Sequence, residues 1–159
     1  MKLLNKAVDG LCKLVMGSSA AVVLVITFAQ VVCRYVLKSP LPWSQDVLRL
    51  AFTYLVFWGA AWCTKEKGHL NVDVVLTMMK PKLRLFVEFI INLILVAFFI
   101  LMIYQGYKFA ITGLTQKAPY LPIPMTCYYA SIPTAGVLML YYMVQILFEQ
   151  VKEMFKKEG

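Results

Sequence analysis

RYVLKSPLPWSQDVLRLAFTYLVFWGAAWCTKEKGHLNVD, residues 34–73, is the stretch that decides the fold. One apolar helix ends at Arg34-Tyr35-Val36, and a short turn carries Pro40 and Pro42. Trp43 leads into a second apolar helix that opens with Asp46 and Arg49 and closes near Trp62. A charged segment with the single histidine, His69, follows. The charges sit where an apolar helix meets a boundary. That is the distribution a bilayer imposes, because a charge at mid-depth costs several kcal/mol.

Reading outward, the pattern repeats. The chain has 159 residues and is 61% hydrophobic, against roughly half in a soluble domain. The excess falls in long blocks, which indicates an all-α integral membrane protein. Four transmembrane helices are expected, about 14–36, 44–64, 83–112 and 126–148, joined by short loops in a single domain covering 1–159. At 1.5 Å per residue each can cross a hydrocarbon core of about 30 Å. The first run is too long for a signal-peptide core, so it is read as an uncleaved span. Val72–Met79 is apolar but too short to span, and reads as a short cytoplasmic amphipathic helix along the membrane surface. Pro133 is expected to kink the fourth helix.

Four spans place both termini on one side. The termini and the segment between helices two and three hold eleven of the 16 lysines and arginines; the other side holds five, Arg34, Lys38, Arg49, Lys108 and Lys117. The positive-inside rule then puts both termini in the cytoplasm and turns Pro40–Trp43 and Pro119–Pro124 outward. The same rule accounts for the net charge of +8 without nucleic acid, for which no basic-aromatic groove pattern exists.

Little in the chain points to chemistry. Cys12, Cys33, Cys63 and Cys127 are dispersed, with no C-x-x-C pair, so no metal site is expected. One histidine cannot supply a pair of axial haem ligands, and it has no serine nearby in sequence to activate. No catalytic or substrate-binding residue is assigned, no cofactor is expected, and the chain is read as a non-enzyme. The first span is free of charge from Leu14 to Arg34, and the second between Arg49 and Lys65. Neither therefore offers a mid-membrane carboxylate to couple an ion gradient. A membrane anchor for a redox enzyme and a stand-alone small exporter are the alternatives. Candidate subunit- or lipid-interface residues are Arg34, Trp43, Asp46, Arg49, Gly59, His69 and Asp73. Asp46 and Arg49, three apart, share a helix face, and with Arg34 they are expected to form a local ion-paired staple of the first hairpin. Gly59-Ala60-Ala61 offers a small-residue surface for close helix approach.

R-Y-V-L-K-S-P-L-P-W-S-Q-D-V-L-R, then W-G-A-A, K-G-H-L-N-V-D, L-P-I-P-M and Y-Y-A-S-I-P together resemble the small membrane subunit of tripartite ATP-independent periplasmic (TRAP) transporters, the DctQ/SiaQ-like family. The resemblance covers nearly the whole chain. It carries family positions onto Arg34, Trp43, Arg49, His69 and Asp73. The acidic pair that follows the tryptophan is Gln45-Asp46 here, so only one carboxylate remains. The resemblance implies a non-catalytic scaffold in the bacterial inner membrane beside a large membrane subunit, which holds the sodium and substrate sites and moves as an elevator. It also implies a periplasmic substrate-binding protein that delivers an organic acid of the sialic acid or C4-dicarboxylate type. The outward loop Thr115–Met125 is stiffened by three prolines. With Lys38, Lys117, Tyr120 and Leu121 it is the expected docking surface for that delivery protein.

Overall fold

The computed structural model describes residues 2–66 and 81–157. It is helical, with four helices long and apolar enough to cross a membrane. We number the helices α1 (Lys2–Tyr35), α2 (Trp43–Lys65), α3 (Pro81–Thr112), α4 (Thr126–Tyr129) and α5 (Ser131–Lys157); a 3-10 turn, Gly113–Thr115, follows α3. His69, Asp73 and the amphipathic segment 72–79 lie outside the described residues.

Helix α1 begins at Lys2 and not near residue 14. The polar residues ahead of the apolar run are helical because their side chains find partners on other helices. The amides of Asn5 and Gln145 exchange hydrogen bonds at 3.1 Å, and Asp9 pairs with Lys65. Pro81 opens α3, where its missing N–H would have no partner in any case. In the fourth span the discontinuity falls at Ala130, one turn before Pro133. Proline cannot donate back to the preceding turn, and hydroxyls cover the neighbouring carbonyls: Ser131 Oγ donates to Tyr128 O at 2.7 Å, and Thr134 Oγ1 to Ala130 O at 2.7 Å.

The spans form an open row, α1–α2–α5–α3. Among the described residues α1 packs its backbone against α2, α2 also meets α5, and α5 meets α3. The apolar core lies at the α2–α5–α3 junction, where Ala61, Phe99, Met139 and Met143 are buried. Large apolar side chains such as Leu24, Phe28, Leu93 and Phe98 are exposed, whereas small or polar ones such as Ser19, Asn92 and Ser131 are buried. This inversion suits a lipid solvent, in which close packing and interhelical hydrogen bonds hold helices together.

Close approach occurs where α3 meets the fourth span. A Cβ on Gly113 would lie 2.7 Å from Thr126 N, so only glycine lets the end of α3 touch the start of α4. At Gly59 the neighbouring helix is farther away: a Cβ there would meet only Met16 Cε, at 4.0 Å. The small-residue surface expected at Gly59 therefore works through Ala61, which is 0% exposed in the core.

Candidate functional site

One end of the row gathers the α1–α2 turn, the start of α2 and the loop after α3. The geometry starts from the prolines. Pro119, Pro122 and Pro124 remove three N–H groups from the loop, so the loop cannot complete a ladder of its own. It closes as a short hairpin: Ala118 N donates to Ile123 O at 3.0 Å and Met125 N to Gln116 O at 2.9 Å, around an isolated bridge between Lys117 and Pro124. The tip N–H groups of Tyr120 and Leu121 need an outside acceptor. Asp46 supplies it, its Oδ2 accepting from Tyr120 N at 2.8 Å and Leu121 N at 3.0 Å.

Asp46 is only 5% exposed. Its backbone carbonyl accepts from the Tyr128 hydroxyl at 3.3 Å, and Tyr54 OH donates to Cys127 O at 3.1 Å. Thr126 Oγ1 donates to Ala110 O at 3.0 Å. Helix α2, the hairpin and α4 are thereby tied into one unit resting on the end of α3. The ion-paired staple expected among Arg34, Asp46 and Arg49 is not what forms: the carboxylate is used 74 residues along the chain, by the hairpin. A charged acceptor makes a backbone hydrogen bond roughly twice as strong as a neutral one, so the two N–H donors of the hairpin satisfy the buried carboxylate without an arginine partner.

The other candidate residues fall around this unit. Arg49 is exposed, with its guanidinium 6.0 Å from the Tyr128 ring. Trp43 opens α2 and is 42% exposed. Lys38 leaves α1 with φ 51°, a left-handed conformation that a lysine adopts at some cost. Lys117 and Tyr120 point outward, and Leu121 is half-buried. Arg34 lines a cleft of about 190 Å³ with Gln30, Pro40, Leu41, Pro42 and Gln45. Gly59 and Ala61 lie far along α2, away from this end.

The chain matches the family described as "Tripartite ATP-independent periplasmic transporters, DctQ component" over residues 23–153. It belongs to that family. Among its relatives, the chain is 24% identical over 152 residues to the sialic acid TRAP transporter small permease protein SiaQ of Vibrio cholerae, covering 96% of this chain and 88% of that one. It is 25% identical over 154 residues to the sialic acid TRAP transporter permease protein SiaT of Haemophilus influenzae; 91% of this chain aligns, and it spans only 23% of that longer protein. Over 103 residues it is 26% identical to the C4-dicarboxylate TRAP transporter small permease protein DctQ of V. cholerae, covering 62% of this chain and 44% of that one. This DctQ-family chain is thus a multi-pass inner-membrane protein of the TRAP small-permease type.

A second polar cluster lies at the opposite end of the row, where α1, α2 and α5 meet. Asp9 of α1 pairs with Lys65 of α2, and the Tyr142 hydroxyl of α5 donates to the other Asp9 oxygen at 3.0 Å. Tyr141 OH donates to Asn5 Oδ1 at 2.5 Å. Lys13 and Lys65 stand over the Trp62 ring at 4.8 and 4.5 Å. The available signal was helical spacing. Asn5, Asp9 and Lys13 recur every four residues on one helix face, while Tyr142 and Gln145 are three apart on another.

Proposed function

We propose that this chain is the small, non-catalytic membrane subunit of a sodium-coupled TRAP importer of an organic acid. It would act as a scaffold for the large elevator subunit and help to dock the periplasmic binding protein. The names of the SiaQ and DctQ relatives support a sialic acid or a C4-dicarboxylate as cargo. The single observation that carries the reading is the open row of spans. A chain of helices in the order α1–α2–α5–α3 does not close a ring around a path, and it leaves broad apolar faces for lipid and for a larger membrane partner. Sodium and cargo then bind on that partner, and this chain needs no cofactor.

The proposed orientation keeps both termini cytoplasmic and turns the Asp46-held hairpin to the periplasm, following the distribution of lysine and arginine. Cysteines introduced at Ser39 or Gln116, both exposed, should react with an impermeant maleimide in intact cells, while cysteines at Glu66 or Lys152 should not. This is done in a background lacking the native cysteines, and the reverse pattern refutes the orientation.

A hairpin fixed by prolines and by Asp46 is ordered before it meets a partner, so docking costs it little entropy. It presents a cation at Lys117 and an aromatic at Tyr120, which is 59% exposed. The Lys117→Glu, Tyr120→Ala double variant should assemble with the large subunit normally. It should lower uptake several-fold at limiting binding protein, with less effect at high salt, where exposed charges are screened within about 3 Å at 1 M. Wild-type uptake across the binding-protein titration removes the docking role.

A further inference from the structure

We propose that the cleft between the end of α1 and the α1–α2 turn binds the phosphate of a membrane phospholipid, with Arg34 as its principal ligand. The cleft is lined by Gln30, Arg34, Pro40, Leu41, Pro42 and Gln45. Its polar groups are one guanidinium and two amides, all able to donate. Among the described residues Arg34 forms no ion pair, and neither it nor the side chains of Gln30 and Gln45 hydrogen-bond to a protein acceptor. The nearest carboxylate along the chain, Asp46, is occupied by the hairpin N–H groups. The cleft therefore holds a fixed positive charge, several donors and no counter-charge of its own.

Depth selects the anion. Arg34 is one residue from the end of the first span, and Trp43 begins the second. An unpaired cation at that level is stabilised where it meets head-group phosphates. A guanidinium presents its donors in a fork that matches two phosphate oxygens at once. Tyr35, Val36 and Leu37 beside the cleft are 65–72% exposed and can lie against the glycerol and upper acyl chains. Both arginines at this end stand near an aromatic ring, Arg34 5.9 Å from Tyr35 and Arg49 6.0 Å from Tyr128, but only Arg34 lines the donor-bearing cleft. This inference does not depend on the transport reading, because its test needs no uptake.

The full chain, purified in mild detergent, is titrated with dioleoylphosphatidylglycerol and analysed by native mass spectrometry. Dioleoylglycerol and free glycerol phosphate serve as separate probes of the lipid tails and of phosphate alone. One phosphatidylglycerol should be retained, and neither of the other probes should be. Arg34→Gln should weaken retention by about tenfold or more. Gln45→Glu should weaken it similarly while leaving Arg34 in place, because the new carboxylate occupies the guanidinium. Circular dichroism checks that both variants fold. Arg49→Gln should retain lipid as the wild type does. Unchanged retention in the Arg34→Gln and Gln45→Glu variants overturns the proposal, as does equal loss in Arg49→Gln. Glycerol phosphate binding as tightly as the lipid would show a free-phosphate site instead. Normal lipid retention by Arg34→Gln combined with loss of the large subunit on co-purification would assign Arg34 to a protein carboxylate, and also overturns it.

Discussion

Asp46→Ala should raise amide hydrogen exchange at Tyr120 and Leu121 by on the order of a hundredfold, with little change in the exchange of α3. The carboxylate accepts both tip N–H groups at 2.8 and 3.0 Å and is almost fully buried. A hydrogen bond to a charged group contributes roughly 1.5–3 kcal/mol, and a buried donor left without a partner adds its own desolvation cost. Taking about 3 kcal/mol for opening the hairpin tip gives the stated factor, since each 1.4 kcal/mol is about tenfold. Asp46→Asn should fall between, because its carbonyl oxygen still accepts but carries no charge. If the transport reading holds, Asp46→Ala should also lower uptake at limiting binding protein, while Asp46→Asn keeps most of it. An arginine staple would behave differently: the loss would appear around Arg34 and Arg49, and Tyr120 and Leu121 would exchange as in the wild type.

The sequence makes the spans legible because exclusion of charge from a bilayer core acts on composition, which needs no tertiary information. Three prolines in 119–124 likewise announce a stiff loop. What the sequence does not expose is who satisfies that loop. Asp46 sits in the first turn of α2 with Arg49 three residues on, so the local account is complete until the hairpin is seen to lie against it. Asp9 was hidden in the same way. It reads as part of a polar flank, and its partners Lys65 and Tyr142 are 56 and 133 residues away. The glycines show the limit of local pattern: a Cβ at Gly59, in the small-residue run, would meet nothing closer than 4.0 Å, whereas one at Gly113 would press on backbone at 2.7 Å. Nothing around Gly113 announces it, since the constraint comes from the backbone of Thr126.

Lys65→Met should destabilise the fold by about 2–4 kcal/mol, Asp9→Asn by about 1, and the double variant by less than Lys65→Met alone. The side chains of Lys65 and Asp9 are 35% and 23% exposed, and both residues lie inside helices long and apolar enough to cross a membrane; the costs given are those expected of a pair at the edge of the bilayer. Methionine keeps the length of the lysine stem, so packing over the Trp62 and Tyr142 rings is largely preserved and the substitution isolates the charge. It leaves the Asp9 carboxylate on a short side chain with the Tyr142 hydroxyl as its one remaining donor among the described residues. Asp9→Asn leaves the opposite orphan, a lysine at the last turn of α2 whose long stem can carry its charge out to the head groups. The asymmetry between the single variants therefore reports on depth: a short orphan anion is trapped where a long orphan cation is not. Equilibrium unfolding in mixed micelles, run as a double-mutant cycle, measures it. A coupling energy below about 0.5 kcal/mol with equal single-variant costs is the behaviour of a solvated surface pair, and would place this end of α1 outside the apolar slab.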